Sequence, residues 1–225
     1  FNNPEIGFVS GFTPLNKNKN NFIDRLLFFE NYSQDSFNAA CIGKKITVSC
    51  VGRSIAFRKK YFNKINGYQN MKEIQSGDDD LLMHHIVYSN SCKIKYVISK
   101  NSYVYTDGPK TINDFINQRM RFASKGKLYY GLDYISNELK LILPLLYVTN
   151  LVVVISMLLF IKSPSIIFII PYILKTFSDF LLLYTFSNEL QLKWDYGAFF
   201  ILSIFHPFYI IFFSSIAPFK KIKWK

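Results

Sequence analysis

Residues 141–161 read LILPLLYVTNLVVVISMLLFI, a run of 21 residues without a charged side chain. At about 1.5 Å of rise per residue, a helix of this length covers the roughly 30 Å hydrocarbon core of a bilayer. Backbone placed in hydrocarbon must satisfy its own hydrogen bonds, so the stretch is expected to be a transmembrane helix. Two more apolar runs follow. SPSIIFIIPYILKTFSDFLLLYTF is long enough to span but contains Lys175 and Asp179, and GAFFILSIFHPFYIIFFSSIAPF is broken by His206-Pro207. Lys175 and Asp179 stand four residues apart, a spacing that lets them pair on one helix face or snorkel toward the interface.

Charge divides the chain at the same place. Through Lys140 there are 20 basic and 12 acidic residues, and from Leu141 onward 7 and 3, for a net charge of +12. The first part reads as a basic, water-facing region that suits a cytoplasmic membrane face, anionic lipid or a phosphorylated substrate. No nucleic-acid motif accompanies the charge, so no nucleic-acid partner is expected. The tail KKIKWK is basic too, and the positive-inside rule puts both basic regions in the cytoplasm. Three full spans are incompatible with that placement, so one of the last two apolar runs is expected to be re-entrant, interfacial or a broken hairpin. Cys41, Cys50 and Cys92 lack any metal-ligand spacing and read as reduced core thiols. The chain opens on Phe1 with nothing like a signal peptide beside it, which leads us to expect sequence upstream.

Along the water-facing part, NNFIDRLLFFENYSQDSFNAACIG has apolar residues at helical spacing, for one or two helices. KITVSC alternates from Ile46 and predicts a strand that turns at Gly52; INGY predicts a turn. LLMHHIVYSN predicts a helix, CKIKYVIS a strand, and NSYVYTDGPKT a strand followed by a turn. In TINDFINQRMRFASKGKLYYG, Thr111 and Asp114 have capping-box spacing, and Ile112, Phe115, Ile116 and Phe122 form one apolar side interleaved with cations. Such a helix suits a membrane surface.

SGDDDLLMHH sets three adjacent carboxylates, Asp78, Asp79 and Asp80, in this basic background. Two readings stand side by side. Ser76 and Asp79 fit a capping box, and acids in a first helical turn are favoured by the helix dipole. Alternatively, one carboxylate is a general base beside cations that hold an anionic substrate. His84 and His85 are adjacent, point to different faces of a helix and make a poor metal pair. There is no GxGxxG, P-loop, GxSxG or HExxH motif.

Five stretches in order, GRSIAFRK from Gly52, NGY from Asn66, SGDDDLL from Ser76, QRMRF from Gln118 and the apolar runs from Leu141, resemble the C-terminal half of a membrane-bound family 2 glycosyltransferase of bacterial type. That family shows a G-x-N-x-A-F/Y-R turn, a GG-F/Y turn, an acidic ED-type motif before a helix, and Q-x-x-R-W on an interfacial helix before its spans. Here Ser54 stands for the turn Asn, Asp78-Asp79 for the ED pair, and Phe122 for the Trp.

The resemblance implies an α/β fold class, the C-terminal part of a GT-A domain, over residues 1–110. An interfacial helix region is then expected at 111–140, a transmembrane region of two to three segments at 141–218, and a basic cytoplasmic tail at 219–225. It implies transfer of a sugar from a nucleotide-diphosphate sugar to a hydroxyl of a lipid-linked or saccharide acceptor, with inversion. Asp79 is expected as the catalytic general base, with Asp78 the catalytic alternative one register away; Arg121, Gln118 and Arg119 would serve the donor diphosphate, and Phe122, Ser54 and Asp80 the acceptor. A divalent metal, Mg or Mn, is implied with its DxD ligands upstream; no metal ligands are expected in this chain. The implied location is a bacterial inner or plasma membrane, with the catalytic region in the cytoplasm. The competing expectation is a non-catalytic membrane-anchored scaffold whose basic region sits on anionic lipid.

Overall fold

A computed structural model describes residues 2–16, 22–71 and 77–219. Ser76 and the residues from 220 onward, Lys223 included, lie outside the described residues, so the Ser76 cap and the KKIKWK tail receive no structural account.

The chain is mostly helical around a small mixed sheet. β1 (Ile6–Gly11) is the centre, flanked by antiparallel β2 (Ile55–Phe57) and parallel β3 (Lys93–Val97). Phe8 faces Phe57 across one seam, and Gly11 faces Val97 across the other. α1 (Phe22–Gly43) is one continuous helix, followed after β2 by the short α2 (Lys59–Lys64). α3 (Asp78–Asn90) buries Leu81, Leu82, Met83 and Ile86 in a core with Phe8, Tyr129 and Leu139. Burying four such side chains contributes on the order of 6–12 kcal/mol before conformational entropy is counted. That burial fixes the start of α3 against the sheet.

Two expected strands are absent. Residues 46–50 form no ladder, and the strand lies later, at β2. α3 takes up their backbone instead: Asp80 accepts from Cys50 N at 2.8 Å, and His84 Nε2 lies 3.1 Å from Val48 O. Residues 103–106 run beside residues 12–16 with a single isolated bridge, Leu15 to Thr106. Pro14 has no N–H to extend a ladder there.

α4 (Ile112–Tyr130) starts as its spacing predicts, with Thr111 Oγ1 accepting from Asp114 N at 3.0 Å. Three long apolar helices follow: α5 (Asn137–Lys162), α6 (Ile166–Leu190) and α7 (Tyr196–Ile216). Each is long and apolar enough to cross a membrane, which marks a membrane protein. Lys175 and Asp179 pair within α6 at 2.5 Å. α5 leaves from the core through Leu139, and α6 returns to pack Leu183, Phe186 and Leu190 against Phe12, Phe29 and Tyr32.

α7 touches the α/β part near both ends. Asp195 caps it and forms a two-pronged pair with Arg25 of α1 at 2.7 and 2.6 Å. Further along, Tyr209 donates to Glu30 of α1, and Phe213 and Ala217 pack with Met120 of α4. A 21-residue helix is about 31 Å long, and one crossing the bilayer would carry its far end away from α1 and α4. We therefore expect single cysteines at Lys193 and Phe219 to react with an impermeant thiol reagent from one side, and one at Ser163 from the other. Phe219 reacting together with Ser163 would instead establish three spans.

Candidate functional site

The three carboxylates at the start of α3 diverge. Gly77 precedes them at φ +91°, a left-handed conformation suited to glycine, and a Cβ there would meet Lys125 Cδ at 3.0 Å. Gly77, and no side chain, occupies the N-cap position. All three acids sit in the first turn, where the dipole favours them.

Asp80 is 1% exposed and fully engaged. Its Oδ1 accepts from Ser49 Oγ and Cys50 N, both at 2.8 Å; its Oδ2 pairs with Lys125 Nζ and accepts from Tyr129 OH at 3.3 Å. Burial draws the Lys125 ammonium down, but the Asp80 and Asp79 charges outweigh it and leave the net shift upward. The cluster ties the Ser49–Cys50 loop, α3 and α4 together.

Asp79 is half-buried beside it. Its Oδ2 accepts from Gly52 N at 2.8 Å and its Oδ1 from Asp80 N at 2.9 Å. A Cβ on Gly52 would sit 3.3 Å from Asp79 Oδ2, so the absence of a side chain lets the turn approach the carboxylate. Burial and the neighbouring Asp80 charge push the Asp79 carboxyl up, while Lys125 and the Gly52 N–H oppose them. Asp78 is exposed.

α4 supplies the cations and an aromatic ring. Arg121 and Lys125 are one helical turn apart, and Phe122 lies between them. Phe122 is 40% exposed, with Arg121 Cζ 5.6 Å and Lys125 Nζ 5.7 Å from its ring centre. Gln118 is half-buried on the same helix. Arg119 is buried, pairs with Glu30 and lies over Phe115 at 5.0 Å, with its Cζ also 5.5 Å from the Phe122 ring centre; through Glu30 and Tyr209 this locks α4 to α1 and α7. Ser54 is half-buried behind the Gly52 turn, where a Cβ on Gly11 would meet its Oγ at 2.6 Å.

The fold thus gathers Asp79, Asp80, Lys125, Tyr129 and the Gly52 turn, with Phe122 beside Lys125, and holds Arg119 near that ring as well, in a buried pair with Glu30. From sequence Lys125 reads only as one of the cations interleaved along the helix, and Tyr129 carries no assignment. Their signal was the four-residue step from Arg121, which keeps all three on one face of α4. Among the described residues no group of three or more His, Cys, Asp or Glu is arranged to hold a metal. The triplet itself does not fit one, since its carboxylates point apart and Asp80 is occupied.

A second buried acid lies behind the site. Asp35 of α1 is 3% exposed, with Thr13 N and Oγ1 both 3.5 Å away and Arg53 close enough to act on both Asp35 and Asp79. Burial pushes the Asp35 carboxyl from 3.8 up to about 7, with Tyr96, Thr13 and Arg53 only partly opposing. A carboxyl raised in the folded state keeps its proton after the unfolded chain has lost it. The contribution of Asp35 to stability is then fully present below about pH 4 and is lost as pH rises through about 7, by up to about 4 kcal/mol at 1.36 kcal/mol per pKa unit. Asp35→Asn should flatten this slope in melting temperatures measured between pH 5 and 8. An identical fall in the variant would remove Asp35 as its source.

No protein-family model matches the chain, and no curated protein matches its sequence.

Proposed function

We propose that the protein takes part in glycosyl transfer at a membrane, moving a sugar from a nucleotide-diphosphate donor to an acceptor hydroxyl. The observation that carries this reading is Asp79. It is a half-buried carboxylate with a raised pKa, held on the Gly52 N–H beside a buried cation and an exposed aromatic ring. A general base works best with its pKa near the operating pH, and an upward shift brings a carboxylate closer to it.

In this reading Asp79 accepts the proton of the attacking hydroxyl, and a single displacement inverts the anomeric carbon. Arg121 neutralises the departing diphosphate with its planar fork, Gln118 positions that helix face, and Phe122 stacks on a sugar face. Asp80 holds Asp79 and Lys125 in place, Arg119 holds α4, and Ser54 supports the turn. The donor and acceptor chemistry and the GT-A assignment rest on the ordered motifs from Gly52 to Phe122. The apolar helices next to α4 favour an acceptor delivered by the membrane.

The rival reading, a membrane-anchored scaffold, draws on the structural pairs of Asp80 and Arg119. Arg121→Lys separates the two. It keeps charge and therefore lipid attraction, but loses the fork. Sugar transfer by the full-length protein in membranes should fall at least about 10-fold, with insertion unchanged. Unchanged transfer would return QRMRF to the role of an anchor.

A further inference from the structure

A groove of about 920 Å³ opens between α1, β3 and α6. It reaches Val87 and Cys92 at the C-terminal end of α3, whereas Asp79 lies in the first turn of that helix. We propose that this groove seats an anionic phospholipid, with an acyl chain along α6 and the phosphate at a rim of lysines.

Three features select that occupant. First, the wall made by α1 presents the small residues Ser36, Ala39, Ala40 and Gly43 beside Ile42, which leaves room for a chain along an apolar surface. The opposite wall is Leu181, Leu182 and Phe186 of α6. Leu181 is 50% exposed and lies on an apolar helix that continues into the membrane, so an acyl chain can enter from the bilayer without crossing water. Second, the rim is cationic. Lys45, Lys93 and Lys95 line it, and among the described residues neither Lys45 nor Lys95 has an ion-pair partner. Lys93 pairs with Glu5 in solvent, with both side chains more than half exposed. Among the described residues the one lining carboxylate, Glu189, is on α6, which directs a phosphate to the β3 side. Third, β3 is the edge of the sheet among the described residues, but Lys93 and Lys95 along it disfavour the addition of a peptide strand. An apolar channel with a cationic mouth complements a phospholipid carrying net negative charge better than a zwitterionic one.

The test uses the full-length protein in bilayers that contain phosphatidylglycerol with a photoreactive acyl chain, the adducts being mapped by mass spectrometry. Adducts should concentrate on residues 36–43 and 181–186, above the level on outward-facing residues of α5. Phosphatidylcholine with the same chain should label this region less. Lys45→Gln and Lys95→Gln, both at exposed positions, should each lower phosphatidylglycerol labelling roughly 5-fold, the effect of about 1 kcal/mol per lysine at a membrane surface. Labelling on α5 should stay constant in these variants, which serves as the folding control. Ala40→Trp should remove the α1 adducts by filling the groove. Equal labelling of residues 36–43 and outward-facing α5, or labelling indifferent to headgroup and to both lysines, would overturn the proposal.

Discussion

Lys125→Met should lower the stability of the protein by about 3–5 kcal/mol, the loss expected when one partner of a buried ion pair is removed. Lys125 and Asp80 have side chains 12% and 1% exposed, and the pair joins α4 to α3. Without the ammonium, Asp80 keeps Ser49, Cys50 and Tyr129 as donors but holds an uncompensated charge away from water. Asp80→Asn in the Lys125→Met background removes that charge and should recover part of the loss. A coupling of more than about 1 kcal/mol between the two changes is expected for residues in direct contact. Additive effects on melting temperature in detergent would show that the pair does not hold these helices together.

Asp79→Asn should lower the rate of sugar transfer by roughly 10²-fold or more while leaving the fold intact. Asn is nearly isosteric and can still accept from Gly52 N, so the turn keeps its partner. What Asn lacks is the capacity to take the acceptor's proton near neutral pH. Were the triplet only a helix start, the change would cost little, since Asp78 and Asp80 keep the first turn negative. The structure separates the three acids in a way their adjacency does not: Asp78 faces solvent, Asp80 is buried in an ion pair, and Asp79 stands between. Asp78→Asn should therefore leave the rate within a few-fold of the parent, and Asp80→Asn should act mainly through stability.

How much of this could be read from the chain differs by element. α5, α6 and α7 were legible as helices because each is a long apolar run, and α4 because Thr111 and Asp114 write its cap into the sequence. α3 was legible as a helix, but not the inequality of its acids. That depends on where Ser49, Gly52 and Lys125 arrive, residues 26 to 47 positions away from the triplet at the extremes. The expected strand at Ile46 failed for a related reason. A β-branched, alternating segment satisfies its backbone equally well on the side chains of a helix, and Asp80 and His84 supply that alternative. Glu30 gave no signal either, standing in the apolar run FFENY, yet it is the buried partner that engages Arg119 beside the Phe122 ring.

The most direct measurement is sugar transfer by membranes carrying the full-length protein, offered a panel of radiolabelled nucleotide-diphosphate sugars with Mg or Mn, at matched expression of parent, Asp78→Asn and Asp79→Asn. We expect transfer of label by the parent from at least one donor, near-parental transfer by Asp78→Asn, and about 1% or less by Asp79→Asn. No transfer from any donor, or transfer by Asp79→Asn within a few-fold of the parent, would contradict this reading.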